Sequence, residues 1–244
     1  MWLRIVAIAA LALTVVATAV LVVRSQRDGG ADLSGIRLTQ VSVATPAGPA
    51  PLVRLAVRLD DRRYSVEAMA TDGLGVSRLD ALAAMNGDFY RADSGVSSGR
   101  LVIDGHQVGA GDHREPNLGL DAGRAAIGRD LQGYRDIVSG KPVLIAAGRA
   151  VRRLRLGGVT RFQIFTRAPR SAVALANGEL WLVSVGKPGL TLREWQQRLL
   201  RMGAGWALNM DGGPSVGLAL DGHRLIDQPE PGVPVAIAIV AGRN

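Results

Sequence analysis

The chain has 244 residues, and 48% of them are apolar, which is enough for a sizeable core and excludes a disordered chain. It contains no cysteine, which excludes disulfide scaffolds, cysteine-ligated zinc, iron–sulfur clusters and thiol nucleophiles. The formal net charge is +8, and a basic balance favours an anionic partner such as a phosphorylated glycan. A compositional bias toward Arg and Ala explains the charge equally well.

The amino terminus carries an uncharged run over residues 5–23, flanked by Arg4 and Arg24. As a helix this run would be ~28 Å long, close to the hydrocarbon thickness of a bilayer. Residues 17–19 (Ala-Thr-Ala) also fit a small-x-small cleavage site, as in a secretory signal. The apolar run continues beyond that site to Val23, which favours an uncleaved anchor.

The sequence therefore divides into an anchor or signal segment (1–27), a linker (28–35) and one domain (36–244). We expect a single membrane pass through residues 5–23, with the domain facing the periplasm or the exterior. Arg24 and Arg27 oppose this orientation by the positive-inside rule.

The domain is predicted to be rich in β-strands, because apolar and polar residues alternate over 53–59 and 64–69. The sequence over 171–185 predicts a hairpin around Asn177-Gly178, a pair that supplies the positive φ angles of a tight turn. A helix is predicted over 191–202, since Thr191-Leu-Arg-Glu194 is a capping box.

A second, short helix is predicted over 78–84. These elements indicate an α+β fold: a mixed, mainly antiparallel sheet system with a few packed helices.

The first segment that could carry chemistry is the loop 207–215, in which an apolar strand ends in Asp211-Gly212-Gly213-Pro-Ser215. Glycines let the backbone approach a ligand, and successive N–H groups can cradle an anionic oxygen. Asp211 would then accept or donate a proton beside the ligand. The alternative is a plain turn in which Asp211 bonds its own backbone.

The second segment is 84–90, which holds Asn86, Gly87 and Asp88 followed by two aromatic residues. Aromatic rings beside amides and carboxylates suit a sugar, because rings cover C–H surfaces while polar groups bond hydroxyls. The alternative is an Asn-Gly turn with Phe89 in the core.

The third segment is 167–175, in which Arg170 opens a strand of small apolar residues. Burying an arginine there is costly without an anionic partner, and its fork fits a pair of phosphodiester oxygens. The alternative is a solvated strand end.

Together these segments resemble the phosphodiester glycosidase family. The family's Asn-Gly-x-aromatic-aromatic segment matches 86–90, its Pro-Arg-Ser/Thr-Ala strand matches 169–172, and its Asn-x-Asp-Gly-Gly-x-Ser loop matches 209–215. Residues 138–144 resemble its Ser-Gly-x-Pro segment, and 234–240 its closing strand. The order and spacing agree over roughly 63–241.

The resemblance implies a hydrolase that cleaves a sugar from a sugar-1-phosphodiester on an envelope or extracellular glycan. No cofactor or metal is expected, because no stretch of the sequence has a clear metal-binding signature. Asp211 would be the catalytic carboxylate, with Asp88 as the second and Asp136 as the next candidate. The implied substrate-binding residues are Asn86, Gly87, Arg170, Asn209, Gly212, Gly213 and Ser215. Among them, Arg170 and the Gly212 and Gly213 amides would hold the phosphate, whereas Asn86 and Asn209, together with Asp88, would hold sugar hydroxyls.

Three other functions are alternatives to a phosphodiester glycosidase. A non-catalytic envelope glycan-binding domain is the main alternative. A serine hydrolase is disfavoured because Gly95-Val-Ser97-Ser-Gly99 precedes a strand-like run rather than a helix. Nucleic-acid binding is not expected, because the basic run 149–155 lacks interleaved aromatic residues for stacking.

Overall fold

The structure is a computed structural model. It describes residues 19–21, 32–91, 93–108, 111, 115–154, 164–227 and 232–242. Apart from Ala19–Leu21, a short strand, the membrane segment predicted over 5–23 lies outside the described residues. Within the described ranges no helix has the length and apolar character needed to cross a membrane.

The described chain is built mainly from strands. In chain order these are β1 (Ala19–Leu21), β2 (Arg37–Val43), β3 (Ala50–Arg58), β4 (Tyr64–Ala70), β5 (Ala83–Asn86), β6 (Leu101–Ile103), β7 (His106–Gln107), β8 (Asn117–Asp121) and β9 (Arg124–Gly128). They continue as β10 (Asp136–Ser139), β11 (Val143–Ala146), β12 (Arg149–Ala150), β13 (Ala168–Ala176), β14 (Glu179–Leu190), β15 (Trp206–Asn209), β16 (Leu218–Leu220), β17 (His223–Ile226) and β18 (Val235–Ala241).

These strands form three sheets. The first has the order β1-β2-β3-β14-β13-β15-β11-β12, the second β7-β6-β10-β8-β9 and the third β17-β16-β5-β18-β4. The pairings between the described strands are antiparallel. The predicted antiparallel, β-rich character is thus confirmed.

The predicted hairpin is formed by β13 and β14, in which Ala176 pairs with Glu179 across the turn. Asn177 and Gly178 both have positive φ angles, 50° and 76°, which match the right-handed twist of the flanking strands. The hairpin lies in the middle of the first sheet, between β3 and β15, and so forms the platform on which the site is built.

The predicted carboxyl-terminal helix is α1 (Leu192–Arg201), and both halves of its capping box are present at Thr191. Its buried face packs on the first sheet through Leu192, Trp195 and Leu199. This face therefore serves core packing, as expected for apolar residues at helical spacing.

The helix predicted over 78–84 is wrong. Val76–Arg78 form a single 3₁₀ turn, and Ala83–Asn86 form a strand that is buried between β16 and β18. A short apolar run of this kind does not distinguish a buried strand from a buried helix. Instead of a few packed helices, α1 is the one α-helix that is complete within the described part of the chain.

The main core lies between the first and third sheets. Leu55 and Leu182 on the first sheet belong to the same buried cluster as Met85 and Ile237 on the third. Packing these two sheets together brings the ends of β5, β13 and β15 to one place.

Candidate active site

Backbone hydrogen bonds join the segment after β5 to the loop after β15. The Asp211 N–H donates to the Gly87 carbonyl at 3.2 Å, and the Met210 N–H donates to the Ser171 carbonyl at 3.0 Å. The side-chain amide of Asn86 donates to the Asp211 carbonyl at 2.9 Å. Three predicted segments, which are distant in sequence, therefore meet at one point.

The segment that begins β11 joins the same assembly. The Lys141 N–H donates to the Asn209 carbonyl at 2.8 Å, and the Asn209 N–H donates to the Pro142 carbonyl at 3.1 Å. The Asn209 side-chain amide donates to the Lys141 carbonyl at 2.9 Å, and its Oδ1 is buried without a partner. Asn209 thus ties the fourth matching segment to the loop that holds Asp211.

Asn86 is fully buried, and its side chain braces the site from within. Its Oδ1 accepts hydrogen bonds from the Ser171 hydroxyl at 2.6 Å and from the Gly217 N–H at 3.2 Å. With its amide nitrogen bonded to the Asp211 carbonyl, Asn86 holds the Asp211 loop rather than facing solvent. Its predicted contact with a sugar hydroxyl would require this arrangement to open.

Asp88 is the most perturbed carboxylate of the site. It is 3% exposed, and its Oδ2 accepts a hydrogen bond from the Ser97 hydroxyl, whereas Oδ1 is buried without a hydrogen-bond partner. The pKa of Asp88 is raised to about 7. Burial is the main cause, the hydrogen bond from Ser97 opposes it, and the nearby charge of Asp211 adds to the rise. At neutral pH Asp88 is therefore poised to give or take a proton.

Asp211 lies beside it in a different environment. Burial raises the pKa of Asp211, while hydrogen bonds from Ser215 and the Gly212 N–H and the charge of Lys141 oppose that rise. The Gly212 N–H donates to Asp211 Oδ1 at 2.8 Å. This is the hydrogen bond expected if Asp211 stabilises a plain turn. Gly213 follows with φ +64°, a conformation that L side chains rarely adopt.

Arg170 is buried rather than solvated, with 8% of its surface exposed. Its Nε donates to the Leu190 carbonyl at 3.1 Å, and Nη2 donates to the Thr166 carbonyl at 2.9 Å. A Cβ added to Gly212 would lie 3.7 Å from Nη1, so this nitrogen faces the Gly-Gly loop. Burial lowers the pKa of Arg170, which reflects the cost of keeping this cation out of water.

The sequence assigned no role to Lys141 or Glu115, yet both line the site. Lys141 Nζ lies 3.0 and 3.1 Å from the two carboxylate oxygens of Glu115, and 5.5 Å from the centre of the Phe89 ring. The usable signal was composition, because Lys141 is one of only two lysines in a chain that otherwise uses arginine.

The structure places Asp136, the third candidate carboxylate, elsewhere. It lies on β10 in the second sheet and accepts hydrogen bonds from the backbone N–H groups of Ala68 and Asp104. Arg135 completes its contacts at 3.0 Å. Asp136 is thus held within the second sheet, whereas Asp88 lies near the charge of Asp211.

Ser97 belongs to the Gly-x-Ser-x-Gly pattern but is not on a nucleophile elbow, because strand β6 follows it where a helix would be needed. Its hydroxyl supports Asp88 instead. Across the described ranges, no cluster of three or more His, Cys, Asp or Glu side chains could hold a metal ion.

A cavity of about 720 Å³ adjoins the Gly-Gly loop. Its walls are mostly apolar, and Pro169 and Gly213 belong both to this cavity and to the segments around Arg170. The volume is within the range of small-molecule sites.

A family model described as phosphodiester glycosidase matches residues 80–241, which is more than half of the chain. The chain belongs to the phosphodiester glycosidase family. The resemblance read from segments 86–90, 169–172 and 209–215 is thus confirmed, and each lies within the matched range. No curated protein sequence gives a significant match.

Solved structures share the fold of this phosphodiester glycosidase family member. A hypothetical protein from Synechocystis has a TM-score of 0.73 at 17% identity, over 85% of this chain and 62% of that one. The zebrafish N-acetylglucosamine-1-phosphodiester alpha-N-acetylglucosaminidase catalytic domain, auto-inhibited by its pro-peptide, has a TM-score of 0.64 at 18% identity, over 93% of this chain and 83% of that one. The chain thus spans less than two thirds of the Synechocystis protein.

Proposed function

We propose that this chain hydrolyses a sugar-1-phosphodiester, breaking the bond between sugar C1 and the phosphate oxygen. The observation that carries the proposal is the pairing of the buried carboxylate of Asp88 with the half-buried carboxylate of Asp211, next to the buried cation Arg170. Membership of the phosphodiester glycosidase family supports the same reaction.

The two carboxylates differ in the way that an acid and a base must differ. Asp88, whose pKa is raised to about 7, retains a proton close to neutrality. Burial also raises the pKa of Asp211, but the hydrogen bonds from Ser215 and Gly212 and the charge of Lys141 oppose that rise. Asp88 is thus suited to act as the general acid, and Asp211 as the base or nucleophile.

The leaving group explains why a buried arginine belongs here. When the C1–O bond breaks, the departing oxygen carries away the electron pair and leaves as a phosphate monoester, while water supplies the new hydroxyl at C1. A phosphate monoester has a second pKa of about 6, close to the pKa of about 7 of Asp88, so Asp88 can share its proton with the departing oxygen as the bond breaks. The growing negative charge is what must be stabilised, and Arg170 Nη1 faces the loop where we place the phosphate.

The neighbouring cavity provides space for the group attached to the other side of the phosphate. Its shared walls, Pro169 and Gly213, connect it directly to the phosphate position proposed at Arg170 and Gly212. The mostly apolar lining favours a carrier with apolar surface.

The test separates a phosphodiester enzyme from an ordinary glycosidase. Purified full-length protein is screened against sugar-1-phosphodiesters and against aryl glycosides of the same sugars, and kcat/KM is compared for wild type, Arg170→Lys and Arg170→Ala. A charge-assisted hydrogen bond is worth ~2 kcal/mol, so loss of Arg170 should cost about thirty-fold on the phosphodiester. Arg170→Lys should recover only part, because an ammonium lacks the fork.

The exposed Arg149 on β12 provides the control, and Arg149→Ala should change neither substrate. An equal loss on both substrates for Arg170→Ala would overturn the phosphate assignment. Binding of the phosphodiester without turnover, in wild type at any pH, would instead establish the alternative of a non-catalytic glycan-binding domain.

We also propose that the domain is tethered by residues 5–23 and acts outside the cytoplasm. The support is the uncharged run itself. Protease added to intact spheroplasts should degrade the domain while a cytoplasmic marker survives. Full protection of the domain would contradict this orientation, and a new amino terminus at Val20 would show a cleaved signal instead.

A further inference from the structure

Lys141 is a charged residue that the proposed reaction has not yet used. Its ammonium is held by both oxygens of Glu115, at 3.0 and 3.1 Å. The two side chains are 11% and 18% exposed, so this ion pair is shielded from solvent. Shielded pairs are screened less than surface pairs, and their charges act on neighbouring groups at short range.

The Lys141 ammonium lies near the two segments that carry Asp88 and Asp211. It sits 5.5 Å from the centre of the Phe89 ring, and Phe89 directly follows Asp88 in the chain. The Lys141 backbone is bonded to Asn209, two residues before Asp211. The positive charge of Lys141 lowers the pKa of both Asp88 and Asp211.

Five described charged groups belong to this part of the site. Asp88, Asp211 and Glu115 are acidic, Lys141 is basic, and the basic Arg170 approaches the loop at Gly212. The positive charge of Lys141 thus acts on Asp88 and Asp211, while the negative charge of Glu115 partly cancels it.

We propose that Lys141, held by Glu115, is a positioning residue whose charge sets the pH range over which Asp88 keeps a proton while Asp211 is ionised. The role of these carboxylates in turnover rests on the proposed function, whereas the electrostatic link can be measured without any substrate. Glu115 has two effects: it fixes the ammonium in place and it moderates the positive field.

A purely structural role is the competing interpretation. Glu115 precedes a stretch that bonds the Lys141 segment, since the Gly140 N–H donates to the Pro116 carbonyl at 3.1 Å. If the ion pair only fastened these two segments, removing either partner would lower stability and leave the carboxylates titrating as before.

The two interpretations predict different effects of substituting Lys141 and Glu115 on the titration midpoints of Asp88 and Asp211. Lys141→Met removes the cation and keeps the apolar stem, so Asp88 and Asp211 should titrate at higher pH. Glu115→Gln removes the opposing anion and keeps the shape, so the uncompensated ammonium should make both titrate at lower pH. From Coulomb's law at an intermediate effective dielectric, each midpoint should move by about half a pH unit or more.

The measurement is a carbon-13 NMR titration of the Asp side-chain carboxyls in the full chain, with signals assigned by Asp88→Asn and Asp211→Asn. Lys141→Arg, which keeps the charge, should restore the wild-type midpoints. The matched control is Lys187→Met, because Lys187 is the other lysine of the chain and is exposed. It should leave both midpoints unchanged.

Opposite movements for Lys141→Met and Glu115→Gln support the proposal. Unchanged midpoints, or movements in the same direction, overturn it. With an active substrate, the acidic limb of the kcat/KM profile should follow the same opposite movements. If no substrate is turned over, the proposed function fails while the titration still decides this inference.

Discussion

Two buried aspartates in this fold, Asp88 and Asp136, have opposite surroundings. Asp136 is 1% exposed, and the backbone N–H groups of Ala68 and Asp104 and the Arg135 guanidinium satisfy its carboxylate. Asp88 is 3% exposed, but it has only the Ser97 hydroxyl on one oxygen and no partner on the other.

The comparison shows that burial alone does not define a catalytic carboxylate. A buried charge that is fully hydrogen-bonded fastens the structure, whereas an under-satisfied one keeps its proton to higher pH. Burial raises the pKa of Asp88 to about 7, and the single hydrogen bond from Ser97 offsets that rise only in part. The fold thus surrounds Asp136 with several donors and Asp88 with one.

The largest expected effect is on turnover. Asp88→Asn and Asp211→Asn should each lower kcat by ~10²–10⁴-fold on a phosphodiester substrate, because an amide cannot transfer the proton. The thermal midpoint should stay near wild type or rise. Unchanged turnover for Asp211→Asn would remove it from the reaction, and a collapsed midpoint would make it a turn-capping residue.

The next effect is the pH dependence of stability. The folded protein holds the Asp88 proton up to about pH 7, whereas the ordinary value is 3.8. The stabilising contribution is therefore complete below the unfolded pKa and is lost as pH rises through the folded pKa, a change of about 4 kcal/mol.

Urea unfolding at pH 4 and pH 7.5 measures this slope. Asp88→Asn should flatten it, so that the variant is more stable than wild type at the higher pH. The exposed Asp93→Asn serves as the control. Identical slopes for wild type and Asp88→Asn would mean that Asp88 titrates normally.

Asp136→Asn should have the reverse profile of Asp88→Asn. It leaves an amide hydrogen facing backbone donors and removes one partner of Arg135, which should cost about 3 kcal/mol of unfolding free energy. Turnover per folded molecule should match wild type at a temperature where the variant is folded. A loss of turnover without a loss of stability would place Asp136 in the reaction.

The smallest expected effect is that of removing the one hydrogen bond to the Asp88 side chain. Ser97→Ala removes the hydrogen bond that lowers the pKa of Asp88, so the alkaline limb of the pH profile, where the general acid loses its proton, should move to higher pH. The net cost of one such bond is about 1 kcal/mol. Ser94→Ala, a substitution at an exposed serine of the same loop, should leave the profile unchanged. A downward movement for Ser97→Ala would contradict this account.

Local chemistry was readable from the sequence where one short segment determines the outcome. The Asn177-Gly178 turn and the capping box at Thr191 depend only on residues within four positions of each other, and both are confirmed. The run over 78–84 failed because its state depends on two strands, β16 and β18, that come much later in the chain.

The same distinction between local and long-range determinants applies to the candidate site. Motifs brought Asp211, Arg170 and Asn86 to attention, and the fold does bring them together. Sequence could not reveal that Asn86 is enclosed, or that Lys141 is paired with Glu115, since each depends on contacts between distant segments. A sequence motif also cannot show that one oxygen of Asp88 lacks a hydrogen-bond partner, which is the feature that distinguishes this residue.

The buried side chain of Asn86 has a consequence for how the protein acquires activity. Its three contacts reach 85, 125 and 131 residues along the chain, to Ser171, Asp211 and Gly217. Contacts of such long range form late, because the loops between them must close first. Recovery of catalysis during refolding should therefore trail the recovery of strand content, and no fragment that lacks either half of the chain can retain the site.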